Sequence, residues 1–540
     1  MKKTKLLYGA GLTILLSLSS LIACNRNNGA DEYEGDRLIL NLKNVYFDQW
    51  QGEDTYTEMI NEKFGVKIQA SNYDYENWDG MVNTAINGNN LTDAIHFNLK
   101  AYNFGSTYEK WVGYKMIKPL PDDMSKWPNL KNMISKVSNV ESLKIDGKLY
   151  GIPIMNDIVN TEKDFSNFTY VYRRDWAKKI DEMNAGKPDY VPVYKEGDVY
   201  TWEEFQRLCA AFAANIKTVS ESNKASVLVD ESWGFPSVTN FYKDAPHCFT
   251  KDASGKAINN FTSENYLKGL DFAKKYVSDD KIYSQDQFNF SANKANEIYL
   301  GGQAAILYDN YSLANYIKLR TTFKKMQKTV DVDDGTAFLK VKGPDGKFAL
   351  EGTENWFSMT MFNYDISEKK LEKILDILDY LLSEEGTRLA IYGKEGYDYS
   401  IVDGEVVLSE TGWEKGSDGK YGPKINGAKY LRYMASLGNE TKAYDPYTEM
   451  DAYNLLDAWQ KEMKAAKDAG NLRVVKEPGD ISWMSTPTKN DKYESMLYDA
   501  NNAVLNYTFD TIKDIDTYKG KFNSNSWNNA LSEINAKLGK

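Results

Sequence analysis

The chain contains few cysteines and few histidines. Its three cysteines, Cys24, Cys209 and Cys248, are too few for the paired framework of a disulfide-rich secreted domain. Two histidines, His96 and His247, leave little for a histidine-built metal site. Basic residues are also outnumbered, since 66 Lys and Arg against 77 Asp and Glu give a formal net charge of −11. This balance argues against a nucleic-acid-binding protein, whose affinity rests on neutralising phosphates.

Motifs of several enzyme classes are also absent from the sequence. It has no G-x-S-x-G, H-E-x-x-H or G-x-x-x-x-G-K-[ST] pattern, which removes the nucleophile elbow, the zincin helix and the phosphate-binding loop. After residue 30 there is no internal repeat, transmembrane span or low-complexity tract. The adjacent His247 and Cys248 have no second ligand pair at a metal-binding spacing, so we expect no metal site there.

The sequence is long and rich in aromatic side chains. A chain of 540 residues is too long for one simple core, so two or three packed lobes are expected. The composition, 42% hydrophobic and 26% charged, is that of a soluble globular protein. The 38 Tyr and 12 Trp exceed what the burial of a core requires, and this surplus favours a binding surface rich in aromatic rings.

The first 36 residues predict an export signal and a membrane anchor. Lys2, Lys3 and Lys5 precede the apolar stretch LLYGAGLTILLSLSSLIA, which is typical of a secretory signal peptide over 1–23. The sequence L-I-A-C ending at Cys24 resembles the lipobox of bacterial lipoproteins, in which this cysteine is acylated, with palmitate for example. The polar residues 24–36 then form a flexible tether to the outer face of the cell membrane. The alternative is a plain signal peptide with Cys24 incidental.

Hydrophobic periodicity predicts an α/β fold. Strand, helix, strand, helix and strand patterns follow one another, which implies a parallel sheet with right-handed crossovers. Their segments are RLILNLKNVYF, GEDTYTEMINEKF, GVKIQA, YENWDGMVNTAING and TDAIHF, between residues 37 and 97. Further along, Thr201 and Glu204 form a capping box ahead of an apolar stripe that includes Cys209. Asp365 or Ser367 begins another amphipathic helix.

Several spaced segments resemble one protein family. They are NGNNLTDAIHF (Asn87–Phe97), YEKWVGYKMIKPL (Tyr108–Leu120), KIDGKLYGIP (Lys144–Pro153), YVYRRDWAKKI (Tyr170–Ile180) with TWEEF (Thr201–Phe205), GGQAAILYDNY (Gly301–Tyr311) and SEEGTRLAIYGKEGYDY (Ser383–Tyr399). In this order they resemble the extracellular solute-binding lipoproteins of ABC importers, family 1, in particular the large oligosaccharide-type members of Gram-positive bacteria.

The resemblance implies a periplasmic-binding-protein type II fold, with two α/β lobes joined by hinge strands. Lobe 1 would comprise residues 37–155 plus 350–400, and lobe 2 residues 156–349 plus 401–540. Hinge crossings are expected near Pro153–Tyr172 and Gly352–Phe362. Such a protein is not an enzyme, carries no catalytic residue and no cofactor, and is expected to act as a monomer. Its partners would be a carbohydrate ligand and the ABC permease subunits in the membrane.

One departure from the family pattern concerns calcium. Some large members carry an EF-hand-like loop after the T-x-E-E-F helix, but here that region reads AANIKTVSESNKASVLVDES. The nearest alternative, DVDDGTAFLKVK from Asp331, has Lys342 where a bidentate acid is needed. We therefore predict no metal in either loop.

Ligands of open α/β sheets bind beyond the carboxyl ends of the strands. That rule selects Asp48, Trp50, Tyr73 and Asn98, while the family comparison adds Tyr308, Asp309, Glu354 and Trp356, and Trp233 and Trp483 are further aromatic candidates. Aromatic faces cover the C–H faces of a sugar, and carboxylates and amides hydrogen-bond its hydroxyls.

Each candidate also has a purely structural interpretation. The tryptophans could be core residues, and Asp48 and Asp309 could be helix N-caps. The net charge disfavours anionic glycans, although Arg173 and Arg174 could override it locally. Rival functions are a secreted lipoprotein glycosidase or lyase, which needs only two placed carboxylates, and a surface glycan-capture lipoprotein without a transporter.

Overall fold

The computed structural model describes most of the chain after residue 30. The described residues are 31–47, 50–74, 77–88, 90–98, 104–156, 163–220, 222, 225–230, 235–278, 281–283, 294–409, 413–415, 421–423, 425–437, 450–482 and 484–540. Asp48, Trp233 and Trp483 lie outside these ranges, as does the whole segment predicted to carry the signal and the lipid anchor.

The first stretch of the chain forms one lobe around a mixed sheet. Its elements are β1 (Tyr33–Glu34), β2 (Arg37–Lys43), α1 (Thr55–Phe64), β3 (Val66–Ser71), α2 (Trp78–Asn87), β4 (Ala94–Phe97), α3 (Phe104–Gly113), β5 (Ile117–Lys118), α4 (Pro128–Ser135) and β6 (Ile152–Met155). Strand β2 pairs in parallel with both β3 and β4, which confirms the predicted β-α-β-α-β order.

The middle stretch forms a second lobe. Its elements are β7 (Phe168–Tyr172), α5 (Arg174–Asn184), β8 (Val199–Tyr200), α6 (Trp202–Ser220), β9 (Ser226–Asp230), β10 (Phe249–Lys251), β11 (Ala257–Asn259), α7 (Glu264–Ser278), α8 (Lys294–Leu300), β12 (Ala304–Asn310), α9 (Leu313–Met326), α10 (Val332–Gly335), β13 (Ala337–Val341) and β14 (Phe348–Glu351). The central sheet has the order β8-β13-β7-β12-β9.

The last stretch returns to the first lobe and then to the second. Its elements are β15 (Trp356–Asn363), α11 (Glu368–Leu382), α12 (Glu384–Tyr392), β16 (Tyr399–Val402), β17 (Glu405–Leu408), β18 (Trp413–Lys415), β19 (Tyr421–Pro423), α13 (Gly427–Arg432), α14 (Met450–Asp468), β20 (Leu472–Val475), α15 (Gly479–Ser482), α16 (Pro487–Thr508), α17 (Ile515–Gly520) and α18 (Asn525–Leu538). Strand β15 pairs with β4, β5 and β6 and so completes the first sheet, whereas β20 pairs with β14 in the second lobe.

Local signals in the sequence define several helix ends. The Asp54 carboxylate accepts hydrogen bonds from the N–H groups of Tyr56 and Thr57, which caps α1. The capping box of α6 is confirmed, because the Thr201 N–H donates to Glu204 Oε2 (2.8 Å) and the Glu204 N–H donates to Thr201 Oγ1 (3.3 Å). Of the two expected starts for α11, the N-cap is Ser367.

Each lobe buries its own apolar core. In the first lobe, alternate residues of β2 (Leu38, Leu40 and Leu42) are at most 2% exposed, as a strand covered on that face requires. In the second, Cys209 is buried within the predicted stripe of α6. The C-terminal helices α16–α18 and β10–β11 pack around a separate cluster that includes Trp527. None of the helices in the described ranges combines the length and apolarity that crossing a membrane requires.

The structure differs from the expected lobe boundaries at one segment. Residues 425–437, placed in lobe 2 by the sequence-based division, pack on lobe 1, because Ala428, Leu431, Met434 and Ala435 belong to its core. Gly427 permits this packing. A Cβ there would lie 1.8 Å from Thr57 Oγ1, so α13 could not approach α1 as closely with any other residue.

Candidate functional site

The carboxyl ends of the lobe 1 strands lie at one edge of the sheet. Strands β2, β3 and β4 are parallel, so their ends at Lys43, Ser71 and Phe97 share this edge. Strand β6 reaches the same edge at Met155, opposite Trp356, where the antiparallel β15 begins. Because the chain leaves lobe 1 after β6 and re-enters it at β15, this edge borders the hinge.

The second sheet presents the corresponding edge to the same hinge. Strand β12 ends beside the start of β7, since Asn310 is paired with Phe168. The parallel neighbour β9 ends at Asp230, on the same side. As β7 is the first strand after the hinge, the carboxyl ends of β9 and β12 border it too. A molecule held at the hinge would therefore contact strand ends from both lobes.

Two chain crossings lie side by side in the hinge. The Asn156 N–H donates to the carbonyl oxygen of Asn355 (2.8 Å), and the Ser166 N–H donates to that of Glu351 (2.8 Å). The Asp164 carboxylate accepts hydrogen bonds from Lys467 and Lys476; burial alone would raise its pKa, but these two ammonium groups lower the pKa of Asp164 below its usual value. Asn156 and Ser166 lie within the first stretch expected from the sequence and Asn355 within the second, which Glu351 directly precedes.

A second contact joins the two lobes away from the hinge. Helix α3 of lobe 1 packs against α16 of lobe 2. The Ser485 hydroxyl, just before α16, donates to Glu109 Oε2 of α3 at 3.0 Å. The two lobes thus touch at the hinge and again where these helices meet.

The structure places the two described candidate tryptophans inside lobe 1. Trp50 is 1% exposed, and its indole N–H donates to Asp54 Oδ2 at 2.7 Å. Trp356 is fully buried, and its indole N–H donates to the carbonyl oxygen of Ser138 at 3.1 Å. Neither ring offers an open face to the hinge, so both act as core residues in this conformation.

The other lobe 1 candidates lie at the carboxyl edge or in the hinge. Tyr73, just after β3, is buried beneath the Lys43 ammonium. Asn98 follows β4 and is partly buried. Glu354 lies in the second crossing, where its carboxylate accepts a hydrogen bond from the Asn139 amide at 2.8 Å. The edge therefore gathers these polar candidates but not the tryptophan faces.

Both lobe 2 candidates lie at the end of β12. The Tyr308 hydroxyl accepts a hydrogen bond from the Asn240 amide (2.7 Å), and its ring packs 4.9 Å from that of Tyr170. Asp309 accepts from the Asn296 amide at 2.7 Å. It is not the N-cap of the following helix α9, which begins after Ser312.

A small cavity lies behind Tyr308. It has a volume of about 20 Å³ and is lined by side chains that include Phe168, Tyr170, Trp459 and Met463. This space holds no more than a single water molecule, so it is too small for a pyranose ring. A sugar at this edge would have to bind outside the cavity, over the end of β12.

Three tyrosines that the sequence did not single out form an aromatic cluster at the lobe 1 edge. We call Tyr46, Tyr430 and Tyr433 the tyrosine cluster. The Tyr433 ring lies 5.8 Å from Tyr46 and 5.9 Å from Tyr430, and Tyr430 stacks on the buried Trp50 at 5.8 Å. All three tyrosines are partly exposed. The strand-end rule could have selected Tyr46, because this residue follows β2. Nothing in the sequence indicated that α13, which carries Tyr430, would pack at this edge.

The tyrosine cluster borders the hinge directly. The Met155 N–H, at the end of β6, donates to the Ala435 carbonyl oxygen (3.1 Å), and the Leu437 N–H donates back to Met155 (2.9 Å). This pairing holds the residues after Tyr433 against the strand that leaves lobe 1. The three partly exposed rings gathered at this edge are therefore tyrosines, whereas the candidate tryptophans Trp50 and Trp356 are buried.

A buried histidine supports this edge from below. His96 on β4 is fully buried, with Nδ1 2.9 Å from Asn44 Oδ1 and Nε2 2.7 Å from Ser358 Oγ. Burial lowers the pKa of His96 well below its usual value, because the imidazolium would lose its hydration. The neutral ring therefore links β4 to the residue after β2 and to β15.

Solved structures match this architecture over nearly the whole chain, whereas no family model and no curated protein matches it. An extracellular solute-binding protein from Bifidobacterium longum subsp. infantis has a TM-score of 0.64 at 13% identity, covering 94% of this chain and 96% of its own. The ABC-transporter substrate-binding protein FusA of S. pneumoniae, in complex with kestose, has a TM-score of 0.61 at 15% identity, covering 93% and 99%. The alginate-binding protein AlgQ2 has a TM-score of 0.61 at 14% identity, covering 93% and 98%.

This chain has the solute-binding-protein fold. The fold class predicted from the sequence, a periplasmic-binding-protein type II architecture with two α/β lobes and hinge strands, is confirmed. In this fold the two carboxyl edges described above are the inner faces of the two lobes, and the tyrosine cluster belongs to the inner face of lobe 1.

The acids of the loop from Asp331 have other partners in this solute-binding-protein fold. Asp331 caps the short helix α10, Asp333 pairs with Arg320 at 2.7 Å, and Asp334 pairs with Lys178 at 2.9 Å. Within the described ranges, no three His, Cys, Asp or Glu side chains are grouped as a metal site requires.

Arg173 and Arg174 lie at the edge of the second sheet that is remote from the hinge, where β7 ends. Arg173 forms a bidentate pair with Asp175 at 2.6–2.8 Å. Arg174 is held by Asp198 at 2.6 Å and by Asp334. These two guanidinium groups are engaged in structural ion pairs and do not contribute a positive surface to the inner faces of the lobes.

Proposed function

We propose that this chain is a lipid-anchored extracellular substrate-binding protein of an ABC transporter, which captures an oligosaccharide between its two lobes for uptake. The observation that carries the proposal is the hinge-bordering pair of strand edges, one bearing the tyrosine cluster and Asn98, the other bearing Tyr308 and Asp309.

The side chains at these edges suit a sugar. Phenol rings cover the apolar C–H faces of a pyranose, and each fully covered ring contributes about 1.5–3 kcal/mol. Amide and carboxylate groups such as Asn98 and Asp309 hydrogen-bond the hydroxyl rim. Partly exposed tyrosines in a row, as in the tyrosine cluster, offer more than one such face, which favours an oligosaccharide over a monosaccharide.

Capture requires that the ligand bind the closed arrangement better than the open one. A sugar that contacts the tyrosine cluster and the end of β12 together has this differential affinity, so its binding shifts the population towards closure. The paired crossings at Asn156–Asn355 and Ser166–Glu351 are the segments that would bend. The Ser485–Glu109 contact, which is present in this structure, would hold the closed arrangement and break as the lobes separate.

The proposed lipid anchor is supported by the sequence, and the proposed transporter partner by the likeness of fold. The apolar segment ending in L-I-A-C supports acylation of Cys24 and retention at the outer face of the cell membrane. The likeness of fold to ABC-transporter substrate-binding proteins supports a permease as the partner. The solved structures of similar fold include an alginate-binding protein, a substrate-binding protein in complex with kestose, an HMO-binding protein and an N-glycan transport protein, which supports a carbohydrate as the cargo.

The rival proposal of a glycosidase needs a protonated carboxyl at the site. Burial raises the pKa of Asp230, at the end of β9, to about 6, which is a value suited to a general acid. However, both oxygens of Asp230 accept hydrogen bonds from Ser237, at 2.7 and 2.8 Å, and the group is buried. These hydrogen bonds show that the Asp230 carboxylate links β9 to the turn at Ser237, which is a structural role.

A thermal-shift and calorimetric screen tests the proposal. The purified mature chain is titrated with xylo-, manno-, gluco- and galacto-oligosaccharides, and each mixture is then analysed for products by chromatography. We expect at least one series to raise the melting temperature in a saturable way and to be recovered intact. Cleavage of the stabilising sugar would establish an enzyme instead, and the absence of stabilisation by these four series and by acidic oligosaccharides alike would refute sugar capture.

A further inference from the structure

Lys43 is a cation at the inner face of lobe 1 that has no acidic partner among the described residues. It is the last residue of β2, the strand paired with both β3 and β4, so it lies at the hinge-bordering edge. Its ammonium nitrogen lies 4.2 Å from the centroid of the Tyr73 ring, and the residue is partly exposed. Among the residues that the structure describes, no carboxylate forms an ion pair with it.

Three described acids near the hinge have hydrogen-bond donors of their own. Asp309 accepts from Asn296 at 2.7 Å, Glu354 from Asn139 at 2.8 Å and Glu351 from Lys243 at 2.6 Å. Within the described ranges, the ammonium of Lys43 contacts the face of the Tyr73 ring, which attracts a cation weakly. Burial lowers the pKa of Lys43, because no nearby acid compensates the loss of hydration.

The next residue presents a second unmatched donor. Asn44 is fully buried, and its Oδ1 accepts from the Tyr46 N–H (2.9 Å) and lies 2.9 Å from His96 Nδ1. These contacts fix which end of the amide is the oxygen. The Asn44 Nδ2 donor then has no acceptor within the described part of the chain. An unmatched buried donor is costly, and this one lies directly beneath the strand end at which Lys43 is partly exposed.

On the basis of the proposed function, we propose that the captured saccharide carries an anionic oxygen group, a carboxylate or a sulfate, that Lys43 binds at the carboxyl end of β2. Such a group supplies the acceptor that Lys43 lacks, and its hydrogen bond to an ammonium is of the stronger, charge-assisted kind. The negative net charge of the chain does not oppose this, because local groups rather than the total charge set the field at one site.

Calorimetry with matched acidic and neutral sugars tests this inference. The probes are a uronic-acid oligosaccharide, the same oligosaccharide after reduction of its carboxyl groups to alcohols, and a sulfated oligosaccharide of equal length. The first two differ only in charge, and the third separates sulfate from carboxylate. Each is titrated into the wild-type chain and into the variants Lys43→Met, Lys43→Arg and Lys63→Met.

Lys63 is the matched control. Its ammonium also lies over a tyrosine ring, 4.4 Å from the centroid of Tyr380, but at the end of α1 and paired with Glu385. Loss of this lysine removes the same kind of contact and the same charge away from the hinge. Lys63→Met is therefore expected to bind every probe as the wild type does.

We expect one of the two acidic probes to bind the wild type at least roughly tenfold more tightly than the carboxyl-reduced probe, in line with a charge-assisted hydrogen bond. Lys43→Met should lose this preference while keeping the affinity for the neutral probe, and Lys43→Arg should retain most of it. Raised salt should weaken only the acidic probe.

Equal binding of acidic and neutral probes would overturn the inference and leave sugar capture intact. So would an equal loss of affinity for both probes in Lys43→Met, because that is the signature of a structural role. Binding of no saccharide, charged or neutral, in this titration and in the four-series screen would instead refute the proposed function, and the inference would fall with it.

Discussion

Tyr433 lies where the chain after α13 meets the end of β6, and its ring is one of three partly exposed phenols at the inner face of lobe 1. If this ring covers a sugar face, Tyr433→Ala should weaken oligosaccharide binding by roughly tenfold or more, since covering an aromatic side chain is worth about 1.5–3 kcal/mol. Calorimetry with the sugar found in the screen measures this. Tyr498→Ala, which removes a 68% exposed ring from α16, is the control and should leave the affinity unchanged.

His96 makes stability depend on pH in a defined direction. Burial lowers its pKa in the folded chain well below the ordinary value of 6.5, so the unfolded chain binds the proton more readily. The contribution of His96 to the free energy of unfolding is therefore complete above about pH 6.5. Below that pH it falls by about 1.4 kcal/mol for each pH unit, until the pKa of His96 in the folded chain is reached. Denaturant unfolding from pH 7.5 to 5 should show a steeper loss for the wild type than for His96→Gln. Equal slopes would contradict this account.

The helices and strands with local signals could be predicted, and those placed by tertiary packing could not. The pattern of β2 through β4, the capping box at Thr201 and the start at Ser367 are short-range features, and the structure shows each. The position of α13 depends instead on the fit of Gly427 against Thr57, 370 residues earlier in the chain. No short-range pattern records such a fit, so neither the lobe boundary nor the place of Tyr430 and Tyr433 at this edge could be predicted, whereas Tyr46 follows β2 and was overlooked.

For the candidate site, the sequence predicted the location of the residues but not the exposure of their side chains. The strand-end rule selected residues at the edges that border the hinge, because the direction of parallel strands follows from their order in the chain. It could not say which rings are open, since a tryptophan after a strand can turn into the core, as Trp50 does towards Asp54. Burial of a particular ring depends on the elements packed over it, here α1 and α13.

Gly427 tests the packing of α13 on lobe 1. In Gly427→Ala the new methyl group would fall 1.8 Å from Thr57 Oγ1 and close to the Asp54 carboxylate, so α13 or α1 must move. We expect a loss of about 1–3 kcal/mol in the free energy of unfolding, as for other overpacked sites. Gly80→Ala, in the open first turn of α2 where nothing lies within 4 Å, is the control and should be neutral or slightly stabilising. A neutral Gly427→Ala would show that α13 does not pack this tightly.

At the scale of the whole molecule, the anchor is testable apart from the fold. Replacing Cys24 by Ser in the full-length chain should move the protein from the membrane fraction into the medium, because the acyl chains that hold it can no longer be attached. Immunoblots of the two fractions measure this, and Cys209→Ser, at a buried thiol of lobe 2, is the control. Retention of Cys24→Ser in the membrane fraction would argue for a different anchor.

The two-lobed shape predicts a motion that small-angle X-ray scattering detects directly. The measurement compares the radius of gyration of the mature chain alone and saturated with the oligosaccharide from the screen, with Tyr433→Ala at the same sugar concentration as the reference. We expect the saturated wild type to become more compact and the variant to change less, because the sugar draws the edge of β2 towards the end of β12. A radius of gyration that stays the same at proven saturation would contradict capture by closure of the two lobes.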